Sequence, residues 1–206
     1  MKPAPHVLAL ALACLATVPG HAATVEVAVQ DARGIAIEDA VVWLVPKAGT
    51  APVRRRDSAV EQKDKAFIPL VTVVQTGTPV HFPNRDPIRH HVYSFSPPKT
   101  FEIKLYAGTP VAPIVFDKPG EVVLGCNIHD HMLAYVYVVD SPWFAKSGKD
   151  GQARIEAGGG EYDLHLWHFA QASPPPPQAL RLRGDETQAA TFALQLKPPV
   201  PRPAPQ

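Results

Sequence analysis

The sequence predicts an all-β, loop-rich fold, and three observations carry that expectation. No long segment repeats its apolar residues at the 3.6-residue period of a helix. The 24 prolines and 13 glycines interrupt the chain too often for long helices and suit short strands joined by turns. Between those breaks lie short segments rich in Val, Ile, Phe, Tyr and Trp that alternate or run apolar, as strands do.

The elements follow in order. Residues 24–30 alternate as a strand, 31–34 (Asp-Ala-Arg-Gly) turn, and 40–45 form a second strand. Residues 67–74 read as one further strand, 75–79 as a turn, and 80–82 as the start of another strand that runs into the loop Pro83-Asn84-Arg85-Asp86-Pro87. Segment 89–95 alternates so that His90 and Val92 share one face and His91 and Tyr93 the other. Residues 121–126 and 133–139 form two strands around a short polar loop. After a turn at 149–151 come strands at 152–155, 161–168 and 179–183, the last preceded by the polyproline stretch 174–177. Residues 198–206 are a Pro-rich tail expected to be extended and poorly ordered.

The amino terminus reads as an export signal. Lys2 precedes an apolar stretch, 7–18, that is too short to span a bilayer and ends in Pro19-Gly20-His21-Ala22, small residues before a cut. A signal peptide over 1–22 implies a periplasmic or otherwise exported protein, with no membrane span. Cys14 within the stretch admits a lipoprotein alternative, although the Ala-Leu-Ala before it is a poor match. Removing Lys2 leaves Lys+Arg and Asp+Glu equal at 19, a neutral chain that argues against nucleic acid as a partner. It also leaves Cys126 as the single cysteine, unable to form an internal disulfide and exposed to oxidation unless something occupies it.

The loop between 121–126 and 133–139 supplies such an occupant. Cys126-Asn-Ile-His129-Asp-His131-Met132 concentrates a thiol, imidazoles and a thioether at the end of one strand and the start of the next. With one His of the upstream pair His90-His91, this is the ligand set of a trigonal copper site with a weak axial Met. Structural zinc prefers four Cys or His ligands, and a buried structural thiol does not explain the His, Asp and Met around it. The strand alternation allows only one of His90 and His91 to be a ligand easily.

On these residues the stretch from Phe67 to Val139 resembles the cupredoxins, the blue copper Greek-key β-sandwiches, and is similar to amicyanin in its Cys-x-x-His-x-x-Met spacing rather than to plastocyanin. The resemblance implies one type 1 copper held by His90, Cys126, His129 and Met132. Asn84, which stands before His90 as an Asn-Arg pair does in amicyanin, would support the ligands by hydrogen bonds near the thiolate and across the ligand loops. His91 takes the position where the family usually has Asn. Two departures stand out: Ile128 and Asp130 flank His129 where prolines are usual, and His131 precedes Met132, an alternative axial ligand. The likeness implies a single-electron carrier, not an enzyme, with the edge of His129 as electron port and Leu133 and Pro87 beside it. Its partners would be redox proteins, dehydrogenase or cytochrome c-like, and the carrier itself a monomer. Phe-Pro-Asn, His-His-Val-Tyr-Ser-Phe-Ser and Asp-Ser-Pro-Trp-Phe are also similar to exported proteins labelled methylamine utilization proteins. A copper carrier or buffer without a redox partner, and a β-sandwich with a vestigial site, are the alternatives.

The two ends of the chain resemble a carboxypeptidase regulatory-like, transthyretin-like β-sandwich, with Asp-Ala-Val-Val-x-Leu early and a Gly-rich turn before Tyr-x-Leu-x-x-Trp late. That likeness implies a discontinuous module of 24–50 plus 147–197 with the cupredoxin unit, 60–141, inserted in it or packed against it. His165, His168 and His81 read as strand positions, and the Arg54-Arg55-Arg56 run as a solvated turn.

Overall fold

The computed structural model describes residues 22–110 and 112–198; the expected signal peptide, apart from Ala22, and the tail beyond 198 lie outside them. Among the described residues there are strands and turns but no α-helix, and no helix long and apolar enough to cross a membrane. The chain opens with β1 (Ala23–Asp31) and β2 (Val41–Pro46), then three short strands, β3 (Ser58–Ala59), β4 (Glu61–Lys63) and β5 (Ala66–Ile68). Next come β6 (Val71–Gln75), β7 (Thr78–His81), β8 (His90–Ser96), β9 (Lys99–Tyr106) and β10 (Ile114–Phe116). β11 (Gly120–Gly125) and β12 (Leu133–Val139) flank the polar loop, and β13 (Phe144–Lys146) to β17 complete the chain through β14 (Gln152–Ala157), β15 (Gly160–Trp167), β16 (Gln178–Leu182) and β17 (Thr187–Leu194).

Two pairs of sheets hold all these strands except β4 and β5, which pair with each other. The outer pair, ordered β14-β1-β17 and β13-β2-β15-β16, is drawn from both ends of the chain. It encloses a core that includes Val25, Val27, Leu44, Ile155, Leu164 and Phe192. The inner pair, β6-β12-β11-β8-β9 and β10-β7-β3, encloses a second core containing Val80, Phe82, Val92, Phe116, Leu124 and Val136. β3 therefore belongs to the inner sandwich and β13 to the outer one.

Strand periodicity explains how the two sandwiches meet. In β2, Val42 and Leu44 point into the outer core while Val41 and Trp43 point away from it; in β12, Ala134, Val136 and Val138 fill the inner core while Tyr135 and Tyr137 face outward. These outward side chains join Leu70, Val71, Val73, Trp167 and Phe169 in a third apolar cluster between the sandwiches. Trp167 stacks on Tyr137 at 4.4 Å and donates from Nε1 to Glu121 Oε2 at 3.0 Å, and Lys146 Nζ donates to Val71 O at 3.0 Å. Strand β12, which carries the polar loop at its start, is thus packed on both faces.

One expected element is two. Residues 67–74 form β5 and β6, which belong to different sheets, with the break at Pro69-Leu70. Proline has no N–H to give a ladder, so the chain leaves one sheet there and enters another.

Candidate metal centre

The inner sandwich places the metal-ligating side chains at one end. β11 and β12 pair antiparallel from Gly120↔Val138 to Gly125↔Leu133, so Cys126 leaves one strand as the loop begins and Met132 ends the loop just before the other. Met132 N donates to His129 O at 2.9 Å, closing a tight turn with His129 and Met132 at its two ends. β8 lies beside β11 through the pair Tyr93↔Gly125, which brings His90, at the start of β8, next to the loop. Gly125 leaves room for this contact: a Cβ there would stand 2.8 Å from the Tyr93 ring.

His90, Cys126 and His129 converge, each offering one ligand atom within 4.8 Å of the others, in an arrangement able to hold a metal ion. Cys126 Sγ lies 3.9 Å from His129 Nδ1, and the His90 and His129 rings are 5.0 Å apart. Cys126 and Met132 are both buried in the inner core. His91 is not part of the cluster: it lies on the opposite face, its Nε2 3.0 Å from Glu102 Oε1 but outside hydrogen-bonding geometry, its ring 5.6 Å from Tyr93. His131 is exposed, with its ring 6.0 Å from that of His129.

The state of His90 points to a ligand. Its side chain is 0% exposed; Nε2 contacts Asp86 Oδ2 at 2.7 Å, while Nδ1 is buried with no hydrogen-bond partner. A neutral imidazole whose Nε2–H is donated to a carboxylate presents a bare lone pair at Nδ1. An orphaned buried acceptor costs about 1–3 kcal/mol unless something binds it. A soft thiolate, two imidazoles and a nearby thioether form the donor set that such a lone pair would complete.

Asp86 escapes a reading of the sequence that attends to His, Cys and Met. Its carboxylate accepts from the backbone N–H of Asp64 (2.7 Å) and of Lys65 (3.0 Å) as well as from His90. Burial pushes its pKa up, but the hydrogen bonds from Lys65, His90 and Asp64 outweigh it, and the group is held below its usual 3.8. A carboxylate–histidine pair of this kind fixes the tautomer and ring orientation of a ligating His and raises its basicity. His129 is held below its usual value by burial first, then by the charges of His90, Lys65 and His131. That favours the neutral, ligating form.

Asn84 braces the loop. Its Nδ2 donates to Ile88 O (2.8 Å) and Tyr106 O (3.0 Å), and its Oδ1 accepts from Asp86 N (2.9 Å). With both amide hydrogens committed, none is left for the Cys126 sulfur, so its support to the site runs through the loop backbone and not through the thiolate. Tyr106 is tied in as well, donating toward Gln62 Oε1 (2.8 Å) and Phe82 O (2.7 Å). Its pKa is pushed up to about 12, by burial above all and by the nearby Cys126 charge, against the Gln62 hydrogen bond.

The loop surface is mixed: Ile128 and Leu133 are exposed beside Asn127, Asp130 and His131, and Pro87 and Ile88 are exposed in the segment before His90. His129 is only half-buried among them.

No family model and no curated protein matches the chain. Solved structures do. It is similar to a Cu-containing nitrite reductase from Thermus scotoductus SA-01, at 27% identity over 46% of this chain and 25% of that one, with a TM-score of 0.38. It is also similar to a purple cupredoxin from Nitrosopumilus maritimus, at 19% identity over 40% of this chain and 99% of that one (TM-score 0.35). A third likeness is to amicyanin from Paracoccus versutus, at 15% identity over 47% of this chain and 97% of that one (TM-score 0.35). The chain thus spans a quarter of the nitrite reductase it matches.

Proposed function

We propose that this chain is an exported type 1 copper protein of the cupredoxin kind that carries single electrons between redox proteins and does not itself transform a substrate. The observation that carries the reading is the convergence of buried His90, with Nδ1 bare and Nε2 committed to Asp86, on Cys126 and half-buried His129. When bound there, copper would supply a one-electron couple whose two states are accommodated by the same ligands. His90, Cys126 and His129 would hold it, with Met132 at the fourth, weaker position and His131 as the alternative. The sandwich contributes rigidity: Cys126 and Met132 are anchored by the paired strands β11 and β12, and His90 by Asp86, so little rearranges when the charge of the site changes.

Exposed Ile128 and Leu133 at the loop, with exposed Pro87 and Ile88 in the segment before His90, suit brief docking of a dehydrogenase or cytochrome c-like partner, the edge of half-buried His129 being the point of electron entry and exit. We read the protein as a periplasmic monomer and its outer sandwich as a carboxypeptidase regulatory-like module. The competing reading is a copper carrier or buffer. It draws on exposed His131, whose ring lies 6.0 Å from that of His129, where a transient ligand could pass a metal in or out.

Voltammetry of the copper-loaded, signal-free protein separates the two readings. A reversible one-electron couple, with copper retained against a competing Cu(I) chelator in both oxidation states, is expected of an electron carrier. Irreversible waves and prompt loss of reduced copper to the chelator would overturn the reading in favour of a carrier of the metal.

A further inference from the structure

The two strands β4 and β5 form a separate small sheet packed on the inner sandwich, and its turn is unusual. Lys63 pairs with Ala66, so Asp64 and Lys65 are the two central residues of a two-residue hairpin loop. Both have left-handed backbones, with φ of 55° and 56°. Such a loop ordinarily takes Asn-Gly, because L side chains other than Asn and Asp avoid that region. Lys65 has no local reason to be there. What the conformation achieves is to direct two consecutive N–H groups at the two oxygens of one carboxylate, Asp64 N to Asp86 Oδ1 and Lys65 N to Asp86 Oδ2.

The arms of the hairpin are secured elsewhere. Gln62 in β4 is fully buried, donates from its backbone N to Pro83 O (2.9 Å), accepts at its O from Arg85 N (2.7 Å), and is hydrogen-bonded to Tyr106 through its side chain. Phe67 in β5 is buried in the inner core. The turn is therefore a fixed point from which Asp86 is held, and Asp86 in turn holds His90 Nε2 at 2.7 Å.

We propose that the Asp64–Lys65 turn is a positioning clamp for the metal centre: its two backbone N–H groups fix the orientation of the Asp86 carboxylate, which locks His90 in the Nε2–H tautomer with Nδ1 directed into the site. The inference rests on the copper reading above for its purpose, but the clamp itself exists without metal and is tested without it. Charge-assisted hydrogen bonds from fixed donors are strong and directional, and the acceptor here is mostly shielded from water, its side chain 8% exposed. Removing such support from a ligating histidine costs about 10–100-fold in metal affinity.

The experiment compares the full mature chain with a variant carrying Gly-Gly inserted between Asp64 and Lys65, which separates the two donors, and with Asp86→Asn. In the metal-free wild-type protein, nitrogen NMR of His90 should report a single Nε2–H tautomer, and the Asp64 and Lys65 amide protons should be protected from exchange. The insertion should mix the tautomers and raise the Kd for Cu(II) at least tenfold, and Asp86→Asn, which keeps only one of the two acceptor oxygens, should remove the protection of one of the two amides. A single tautomer and a Kd within twofold of wild type after the insertion would overturn the clamp, as would unprotected amides in the wild type. Should the insertion variant not fold, amide protection in wild type against Asp86→Asn decides the matter alone. Failure of the wild-type protein to bind Cu(II) would sink the copper reading while leaving the tautomer and exchange results to judge the clamp.

Discussion

Trp167→Ala should uncouple the two sandwiches. The indole is 6% exposed and lies in the cluster that joins them, stacked on Tyr137 at 4.4 Å and edge-on to Tyr135 at 5.9 Å. Truncating a buried Trp to Ala costs about 3–5 kcal/mol in lost transfer energy and cavity. Two aromatic pairs, each worth about 0.5–1.5 kcal/mol beyond area burial, place this case in the upper half of that range, near 4 kcal/mol. The hydrogen bond to Glu121 adds little, because Glu121 is exposed and regains water when the indole is removed. The loss falls on the junction and on neither core, so urea unfolding of the metal-free protein, followed by circular dichroism and by the fluorescence of Trp43 and Trp143, should lose its single transition and show two. Trp167→Phe, which keeps a ring on Tyr137, should recover most of the loss. A single transition shifted by less than about 1 kcal/mol in Trp167→Ala would refute the reasoning and mean that the junction contributes nothing to coupling.

Other outcomes follow from the same structure. Met132→Ala should leave a coloured copper protein with an altered spectrum and potential, whereas His131→Ala should change neither; the reverse pattern would identify His131 as the axial ligand. Asp86→Asn should cost about 1–3 kcal/mol at neutral pH, because at least one of the three donors around its carboxylate loses a charged acceptor. Since the folded pKa of Asp86 lies below the unfolded value of 3.8, its contribution is present above 3.8 and is lost as pH falls through the lower folded value. Denaturation across pH 2–7 should show the gap between wild type and Asp86→Asn closing at the acid end, and a constant gap would contradict the assignment.

The part of the site legible in the sequence was the part packed into one loop. Cys126, His129 and Met132 lie within a few residues between two strongly β-forming segments, and their chemistry is distinctive whatever surrounds them. Alternation said only that one of His90 and His91 could easily be a ligand, and the choice of His90 came from the likeness to the cupredoxins; in the structure both are buried, with a register shift between His90 and Val92. Asp86 was not legible as more than a turn residue: its role depends on two backbone N–H groups brought from the β4–β5 turn, and backbone donors leave no mark in a side-chain sequence. Strand β9 was legible but overlooked: Phe101-Glu-Ile103-Lys-Leu105 alternates as a strand does, and Phe101 and Ile103 pack on the inner core from the sheet edge. Strand β17 escaped for a different reason: its inward positions include Ala190 beside Phe192 and Leu194, and alanine is a weak strand signal. The split of residues 67–74 at Pro69 was readable from proline's missing N–H, but only once it was known that the two halves serve different sheets.

The measurement that bears most directly on the central claim is a Cu(II) titration of the purified, signal-free protein followed by visible absorption, repeated with Cys126→Ala. One equivalent should bind with an intense thiolate-to-copper band in the wild type and no such band in the mutant. Weakly coloured binding that is the same with and without Cys126 would contradict it.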